Sequence, residues 1–493
     1  MDFTIALDNH STLPLHRQLY EELRRLILSG KLPPGKRLPS TRGMAKSLGI
    51  SRTTVTQSYE QLLSEGYLQT VRGSGTFVDS QLPDDLLLTP LTEANMVIPT
   101  QRLIQLSSYG NNLLKADDLA LNNSKILNQN LISFQYGTPA LAENPLKQWR
   151  QLLSHHCQIT NQAMFDYASD SRGYLPLRKA ISDYLVQSRA VQCEAEQVII
   201  VSGSQQALEL ITRILIEPGD EVAIENPSYL DAQRIFWSNG AKLLPIPVDE
   251  SGIIVEKLSD YTSAKIKLAY VTPSHQFPTG AVMSLSRRLE LLAWAMQTGA
   301  MIIEDDYDSE FRYIGRPIPA LQGLNQGKVI YIGTFSRVLF PALRIGYLVV
   351  PKELVSVITY AKRLTDRHAP MLEQQVLTDF INKGYLERHT RQMRKLYDRR
   401  RKALIQALET YFGKQITILG ENAGLHLMVR FHTEFSEQEF VAKAQQRGVK
   451  LVTAQRYYLK DALKCEFVLG YANLTEEEIS EGVFRLAQVL DIC

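Results

Sequence analysis

The stretch VIYIGTFSRVLFPALRIGY, residues 329–347, is the part of this 493-residue chain on which the interpretation of the rest depends. It begins with an apolar run rich in β-formers, breaks at Gly333, and leads into a second strand-like run over 345–350. Hydroxyl groups and two guanidinium groups follow the first run, and such groups at the end of a buried strand indicate a site for an anionic ligand. The polar residues are Thr334, Ser336, Arg337 and Arg344.

The composition is typical of a globular protein with more than one domain. Hydrophobic residues make up 44% of the chain and charged residues 22%, with a net charge of +2, and the length predicts two or three domains. No run of about 18 apolar residues occurs, so we expect no membrane span, and the N-terminus lacks the features of a signal peptide. The four cysteines show no metal-type spacing. We therefore expect a reduced, cytoplasmic protein without a metal site.

Residues 1–79 predict three short helices followed by a hairpin. Apolar residues over 15–27 recur at helical spacing. Ser40 and Ser51 are suited to cap two further helices, which a short turn with a glycine joins. Two short strands, 67–71 and 76–78, follow across a Gly-Ser-Gly turn. This order of elements predicts a winged helix-turn-helix.

The N-terminal unit is locally basic. Between Lys31 and Thr76 there are seven basic residues and two acidic ones, which fits a nucleic-acid partner but also an ordinary solvated surface. The start of the third helix carries long or hydrogen-bonding side chains where a recognition helix meets base edges and phosphates. The predicted DNA-binding residues are Arg37, Arg42, Ser51, Arg52, Thr53, Thr54, Gln57, Arg72, Gly73 and Gly75.

The N-terminal unit also resembles the GntR family. The resemblance covers residues 14–78, PLHRQLYEELRRLILSGKLPPGKRLPSTRGMAKSLGISRTTVTQSYEQLLSEGYLQTVRGSGTFV. It implies that Arg37, Arg42, Arg52 and the wing glycines contact DNA, with a double-stranded operator as the partner.

The remainder of the chain predicts a linker and a large α/β domain. Residues 80–100 contain three prolines without sustained periodicity and are typical of a linker. Within 101–493, apolar runs alternate with helical patterns, which predicts a mainly parallel sheet with helices on both faces and a ligand beyond the carboxyl ends of its strands. The predicted strands are 198–201, 221–224, 266–271, 300–304, 329–332 and 345–350.

Polar residues follow several of these strands. Ser202-Gly203-Ser204 opens a helix whose free N–H groups suit a phosphate, although it is also an ordinary helix start. Tyr229 is placed to stack on a planar ligand. Asp305 could hold a heteroaromatic nitrogen protonated, or it could act as a cap. Because carboxyl ends of parallel strands share one sheet edge, we expect one cleft.

Three segments in order along the chain are similar to fold-type I, pyridoxal-phosphate-dependent aminotransferases. They are TPSHQFPTG (272–280), EDDYDSEF (304–311) and GTFSRVLFPALRIGY (333–347). Together with the N-terminal unit they resemble the MocR/GabR group of GntR regulators.

The resemblance implies roles for individual residues. Tyr229 would stack on the pyridine ring, Asp305 would pair with its nitrogen, and Tyr307 would bind its phenolic oxygen. Tyr167 would reach the phosphate from the partner subunit, and Arg456 would bind a substrate or effector carboxylate. The phosphate would be held by Gly203, Ser204, Gln205, Thr334, Ser336 and Arg344.

Arg337 stands where that family has its Schiff-base lysine. A guanidinium stays charged and is neither a comparable nucleophile nor a general base. Lys328 precedes the strand, so it would lie at the opposite end and cannot substitute. We therefore expect no useful transamination and no catalytic residue. The expected cofactor is pyridoxal 5'-phosphate bound without a covalent bond, with pyridoxamine phosphate or no cofactor as alternatives. Arg337 would then be a cofactor-binding residue whose guanidinium offers a fork to a carboxylate or to the oxygens of the ligand.

Three functions fit these observations. The first, which we favour, is a homodimeric transcription regulator that senses a vitamer or amino-acid adduct through its large domain. The second is an active aminotransferase with an accessory DNA-binding domain, against which Arg337 argues. The third is a DNA-binding dimer with a ligand-free scaffold domain, against which the intact set of pocket residues argues.

Overall fold

The protein consists of two compact units, Met1–Ile104 and Gln105–Cys493. A computed structural model describes residues 5, 7–8, 11–82, 105–118, 131–158, 166–167, 169–261, 266–315 and 318–490. Most of the predicted linker, residues 83–100, lies outside these ranges. Over the residues that are described, no helix has both the length and the apolar character needed to cross a membrane.

The small unit is a winged helix-turn-helix. Ser40 and Ser51 cap the second and third helices as predicted, since each hydroxyl accepts a backbone N–H three residues further on. Gly49 ends the second helix in the left-handed conformation with φ 66°, which a side chain would disfavour. The elements are α1 Leu15–Leu28, α2 Thr41–Leu48, α3 Arg52–Ser64, β1 Leu68–Val71 and β2 Gly75–Val78.

The helices of the large unit cover a central sheet and a smaller C-terminal sheet. They are α4 Ser108–Asp118, α5 Leu146–Gln158, α6 Leu175–Arg189, α7 Ser204–Leu215, α8 Leu230–Ser238, α9 Leu285–Thr298, α10 Lys352–Asp366, α11 Met371–Asn382, α12 Tyr385–Phe412, α13 Glu437–Gln446 and α14 Glu476–Val489. The strands are β3 Ile132–Ser133, β4 Val198–Val201, β5 Glu221–Asn226, β6 Lys242–Asp249, β7 Gly252–Ile253, β8 Ile266–Val271, β9 Met301–Asp306, β10 Val329–Thr334, β11 Gly346–Val349, β12 Ile416–Leu419, β13 His426–Phe431, β14 Val449–Lys450, β15 Val452–Thr453 and β16 Glu466–Gly470.

The central sheet has eight strands in the order β4-β11-β10-β9-β8-β5-β6-β7. The run from β10 to β6 is parallel, whereas β11 is antiparallel to both of its neighbours. Apolar residues on the two faces of this sheet form separate buried clusters under helices. The predicted α/β class with a mainly parallel sheet is confirmed, and all six predicted strands lie in this sheet.

The second sheet was not predicted. It is antiparallel, in the order β12-β13-β16-β15, and packs with α12 and α14 in one buried cluster. Its short strands lack the long Val and Ile runs of the central sheet.

Candidate functional site

A cavity of about 180 Å³ lies beyond the carboxyl ends of β8, β9 and β10, beside the start of α7. Parallel strands end at one sheet edge, so the side chains that follow them converge there. The lining residues are Tyr136, Ser204, Gln205, Tyr229, Tyr270, Thr272, Phe277, Asp305, Tyr307, Thr334, Ser336, Arg337, Pro341 and Arg344.

Most of the residues predicted to bind a cofactor are brought together in this cavity. Gly203 directly precedes the lining residue Ser204. Tyr167 is 72% exposed and lies outside the lining, with its ring against the Arg367 guanidinium at 4.6 Å. Arg456 also lies outside the lining, half-buried on a short 3-10 helix over Gln455–Tyr457. Their roles toward a ligand remain predictions.

Asp305 is buried near the end of β9, with one carboxylate oxygen unpaired. Its Oδ2 accepts a hydrogen bond of 2.7 Å from the Tyr270 hydroxyl, while Oδ1 has no partner among the described residues. Burial raises the pKa of Asp305 to about 7, and the Tyr270 hydrogen bond opposes that rise. A donor beside Oδ1, such as a protonated ring nitrogen, would satisfy the group and favour its ionised form.

Tyr307 is held by a buried polar cluster behind the cavity. Its hydroxyl donates to the His275 carbonyl at 2.8 Å and lies 3.1 Å from His275 Nδ1. Asp308 lies 3.1 Å from the same nitrogen, and one ligand atom each from His275, Asp308 and His426 lie within 4.8 Å of one another. Burial, followed by the nearby His275, lowers the pKa of His426 well below its usual value, so His426 stays neutral.

The turn that opens α7 and the segment after β10 form the part of the cavity suited to a phosphate. Gly203 has φ 91°, and a Cβ there would lie 3.0 Å from Arg344 Nη2, so glycine allows the guanidinium to approach. Arg344 Nη2 donates to the Ser202 carbonyl at 2.6 Å. The Ser336 hydroxyl is buried and has no hydrogen-bond partner among the described residues. Gly203, the N-cap of α7, has no side chain to cap the first N–H groups of the helix, which suit an anion.

Two side chains of the cavity are held by a neighbouring carboxylate. Asp231 Oδ2 accepts hydrogen bonds from Gln205 Nε2 at 2.9 Å and from the Tyr229 hydroxyl at 3.0 Å. The Tyr229 ring packs edge-on against Phe277, with centroids 6.0 Å apart. These contacts fix the Tyr229 ring in the cavity wall, as a stacking residue requires.

Arg337 follows β10 and spans from that strand to the loop at 136–137. Its Nη1 donates to the Gly137 carbonyl, and its guanidinium lies 4.7 Å from the centre of the Tyr136 ring. Gly137 has φ 114°, and a Cβ there would lie 2.6 Å from Arg337 Nη1. Lys328 lies at the other end of β10, as predicted, and its ammonium donates to the Gly299 carbonyl at 3.2 Å.

Sequence reasoning missed five lining residues. Tyr270 and Thr272 could have been found, because they end or follow the predicted strand at 266–271. Phe277 lies inside the quoted segment at 272–280, and Pro341 inside that at 333–347. Tyr136 comes from a segment about which we predicted nothing, so the sequence offered no signal for it.

The predicted DNA-binding face lies at the start of α3 and along the wing. Arg52, Thr53 and Gln57 are exposed, whereas Thr54 is half-buried and its hydroxyl lies 2.8 Å from Ser51 Oγ. Arg37 packs against the wing, since a Cβ at Gly75 would lie 3.0 Å from its Nε. The other predicted residues, Arg42, Arg72 and Gly73, are exposed. Their individual contacts with DNA remain predictions.

Two protein families match the chain. The family "Aminotransferase class I and II" matches residues 129–486, and "Bacterial regulatory proteins, gntR family" matches residues 15–78. A probable rhizopine catabolism regulatory protein, MocR, of Rhizobium meliloti is 38% identical over 98% of this chain and 95% of its own length. A pyridoxine biosynthesis transcriptional regulator, PdxR, of Corynebacterium glutamicum is 31% identical over 99% of this chain and 98% of its own.

Solved aminotransferases share the fold of the large unit. Kynurenine aminotransferase of Pyrococcus horikoshii, in complex with PMP, superposes with a TM-score of 0.69 and 30% identity over 80% of this chain and 96% of its own. α-Aminoadipate aminotransferase LysN of Thermus thermophilus, complexed with N-(5'-phosphopyridoxyl)-L-leucine, gives 0.68 and 27% over 79% and 95%.

A GntR-type winged helix-turn-helix joined to an aminotransferase-like unit defines the class: a DNA-binding transcription regulator. Relatives that match over nearly the full chain are themselves named as regulators. The chain belongs to the MocR/GabR subfamily of GntR-type transcription regulators.

Proposed function

We propose that the large unit of this regulator binds a pyridoxal-phosphate-type vitamer, or its adduct with an amino acid, without a covalent bond. The observation that carries the proposal is a pair of buried oxygens in the cavity, Asp305 Oδ1 and Ser336 Oγ, which have no hydrogen-bond partner in the described part of the chain. An unpaired buried polar atom costs about 1–3 kcal/mol, so a ligand that supplies partners is favoured.

The donor set fits such a ligand. Asp305 would accept from the protonated ring nitrogen, Tyr229 would stack on the ring, and Ser336 would donate to the phosphate together with the α7 N-terminus. When bound, the ring would act as an electron acceptor, since its nitrogen is held protonated. Asp305, Tyr229 and Ser336 would therefore each match a different part of the ligand, namely its ring nitrogen, its ring and its phosphate.

We infer that the regulator lacks useful transaminase activity. None of the cavity-lining residues in the described part of the chain is a lysine, and the Arg337 guanidinium is engaged by Gly137 and Tyr136. A guanidinium neither forms the covalent bond nor moves the proton that transamination needs. Sustained amino-group transfer by the purified protein would contradict this inference.

The effector would act through a homodimer. Ligand binding would favour one arrangement of the two subunits and so change the spacing of two winged helices on DNA. Half-sites separated by about one helical turn, or a multiple of it, are the geometric expectation.

The test is an absorbance scan after incubation with pyridoxal phosphate and gel filtration, with and without borohydride. We expect a retained visible band that borohydride does not fix to the chain, and Asp305→Asn should weaken retention by about tenfold or more. A band fixed to the wild-type chain would identify a reactive lysine and revive the enzyme hypothesis. Absence of a retained band would favour the scaffold hypothesis.

A further inference from the structure

A second cavity, of about 420 Å³, lies between α6, the segment that follows β9, and α12. It shares no lining residue with the first cavity. Its walls are polar, and α6, the segment after β9 and α12 each contribute side chains that can donate hydrogen bonds. These are Ser188, Ser309, Arg312, Thr390, Arg391 and Arg394.

Two donors in this cavity are buried and find no hydrogen-bond partner within the ranges that the structure describes. Thr390 is 7% exposed, and its Oγ1 has no hydrogen-bond partner among the described residues. Arg312 Nε is also buried, and the described residues offer it no hydrogen-bond partner either. Each unpaired group carries a desolvation cost that an acceptor in the cavity would remove. The Arg312 N–H can only donate and the Thr390 hydroxyl can donate, so one acceptor placed in the cavity would satisfy both groups.

Two guanidiniums of the cavity, those of Arg312 and Arg394, have no carboxylate partner among the described residues. Arg391 pairs with Glu387 at 2.5 Å. Arg189 Nε lies 2.9 Å from Asp306 Oδ2. Arg312, in contrast, has no carboxylate within 4.0 Å among the described residues, and burial, followed by the charge of Arg189, lowers its pKa. The site therefore holds an excess of positive charge that a ligand of opposite sign would balance.

The remaining carboxyl group, that of Glu310, offsets that excess only in part near neutral pH. Glu310 accepts a hydrogen bond of 3.1 Å from the Tyr184 hydroxyl. Burial, followed by the charge of Asp306, raises the pKa of Glu310 to about 7. Arg394 Nε donates to the Glu310 backbone carbonyl at 2.9 Å, which leaves its terminal nitrogens for other acceptors.

We propose that this cavity is a second ligand site, which binds a small oxyanion of the phosphate or carboxylate kind through the Arg312 guanidinium and the Thr390 hydroxyl. A guanidinium presents a planar fork of donors that matches the oxygens of either anion. The site is linked to the first cavity through β9, because Arg189 contacts Asp306, the neighbour of Asp305. It would give the regulator a second small-molecule input, separate from the vitamer.

Calorimetric titration of the full-length protein with inorganic phosphate, and separately with succinate, at fixed ionic strength tests the proposal. We expect saturable binding of at least one anion, weakened about tenfold or more in Arg312→Gln. Arg399→Gln is the matched control, because it also removes one arginine charge. Arg399 is exposed on α12, the helix that carries Thr390, and it pairs with Glu476 at 3.1 Å, outside the cavity. Tighter binding of phosphate or of succinate would identify which of the two sources the site prefers.

A second variant guards against misfolding of Arg312→Gln. Thr390→Val removes the unpaired hydroxyl at constant shape, so the thermal midpoint should be unchanged or higher while anion affinity falls. The absence of saturable binding would overturn the proposal. So would anion binding that is unchanged in Arg312→Gln but lost in Arg344→Gln, because it would place the anion in the first cavity.

Discussion

Arg337 determines the chemistry that remains open to the large unit. The sequence identified it as a replacement for a lysine, but not what its side chain would contact. Its partner, the Gly137 carbonyl, lies 200 residues earlier in the chain. A long-range contact to a backbone atom leaves no pattern in a single sequence, so the sequence predicted only that Arg337 would offer a fork to a carboxylate or to the oxygens of the ligand. In the structure the Arg337 guanidinium lines the cavity and contacts Gly137 and Tyr136 in its wall, while its role toward a ligand stays a prediction.

Arg337→Lys should convert the non-covalent site into a covalent one. A lysine supplies a primary amine in a partly desolvated position, where its pKa falls and it becomes nucleophilic. After incubation with pyridoxal phosphate, borohydride should fix the visible band to this variant. Arg337→Gln is the control, since it lacks both the charge and the amine, and its band should stay removable. An Arg337→Lys chain that borohydride does not label would mean that residue 337 does not reach the ligand.

Asp305 should make the stability of the large unit depend on pH. Its folded pKa of about 7 is above the value of about 3.9 in an unfolded chain. The folded state therefore binds more protons between these values, and the contribution of Asp305 to stability is lost as pH rises from about 4 through about 7. The measurement is the thermal midpoint of the ligand-free protein at pH 5 and at pH 8. The difference, pH 5 minus pH 8, should be smaller in Asp305→Asn than in the wild type by about 2 °C or more.

The matched control for this pH effect is Asp260→Asn. Asp260 is an exposed carboxylate that pairs with Lys257 at 3.1 Å, and replacing it should leave the pH difference as in the wild type. Equal pH differences in wild type and Asp305→Asn would show that Asp305 is not the titrating group.

At the scale of elements, buried parallel strands were the most predictable part of the fold. Strands such as β4 and β10 are covered on both faces and appear as continuous Val and Ile runs. β6 was missed because Pro245 and Pro247 interrupt its pattern. Prolines are tolerated there because they lie before the residues of β6 that pair with β7, Val248 and Asp249. The cavity was predictable because its residues follow the predicted strands, whereas Tyr136 was not.

α3 is the element on which DNA binding should depend, and Arg52 tests it. Arg52→Gln removes an exposed cation at the start of the helix, so binding to a mixed-sequence duplex should weaken about tenfold. The slope of log K against log salt should fall by about 1, because one fewer counterion is released. Measurements of fluorescence anisotropy over a salt series check both quantities.

The control for Arg52 lies elsewhere in the same unit. Arg25 on α1 is 65% exposed and pairs with Glu22 at 2.7 Å, so Arg25→Gln removes the same charge away from the proposed face. A loss of affinity as large in Arg25→Gln as in Arg52→Gln would mean that net charge, and not the α3 face, determines binding.

At the scale of the whole molecule, the position of Tyr167 bears on the oligomeric state. Its side chain is 72% exposed and lies outside the cavity of its own chain. The resemblance to aminotransferases implies that this residue reaches the phosphate in the partner subunit. In a twofold dimer each cavity would then combine Asp305 of one chain with Tyr167 of the other. A single chain would be incomplete as a ligand site.

Mixed dimers distinguish this arrangement from a site contained in one chain. We expect Tyr167→Ala and Asp305→Ala to lose pyridoxal phosphate binding separately as homodimers. If Tyr167 acts across the interface, a heterodimer purified through two different tags has one intact cavity and one with both defects, so it should retain about half of the wild-type ligand. If Tyr167 acts within its own chain, both cavities of the heterodimer carry one defect and no ligand is retained. A tagged wild-type dimer sets the full value, and the ligand is measured by its absorbance after gel filtration.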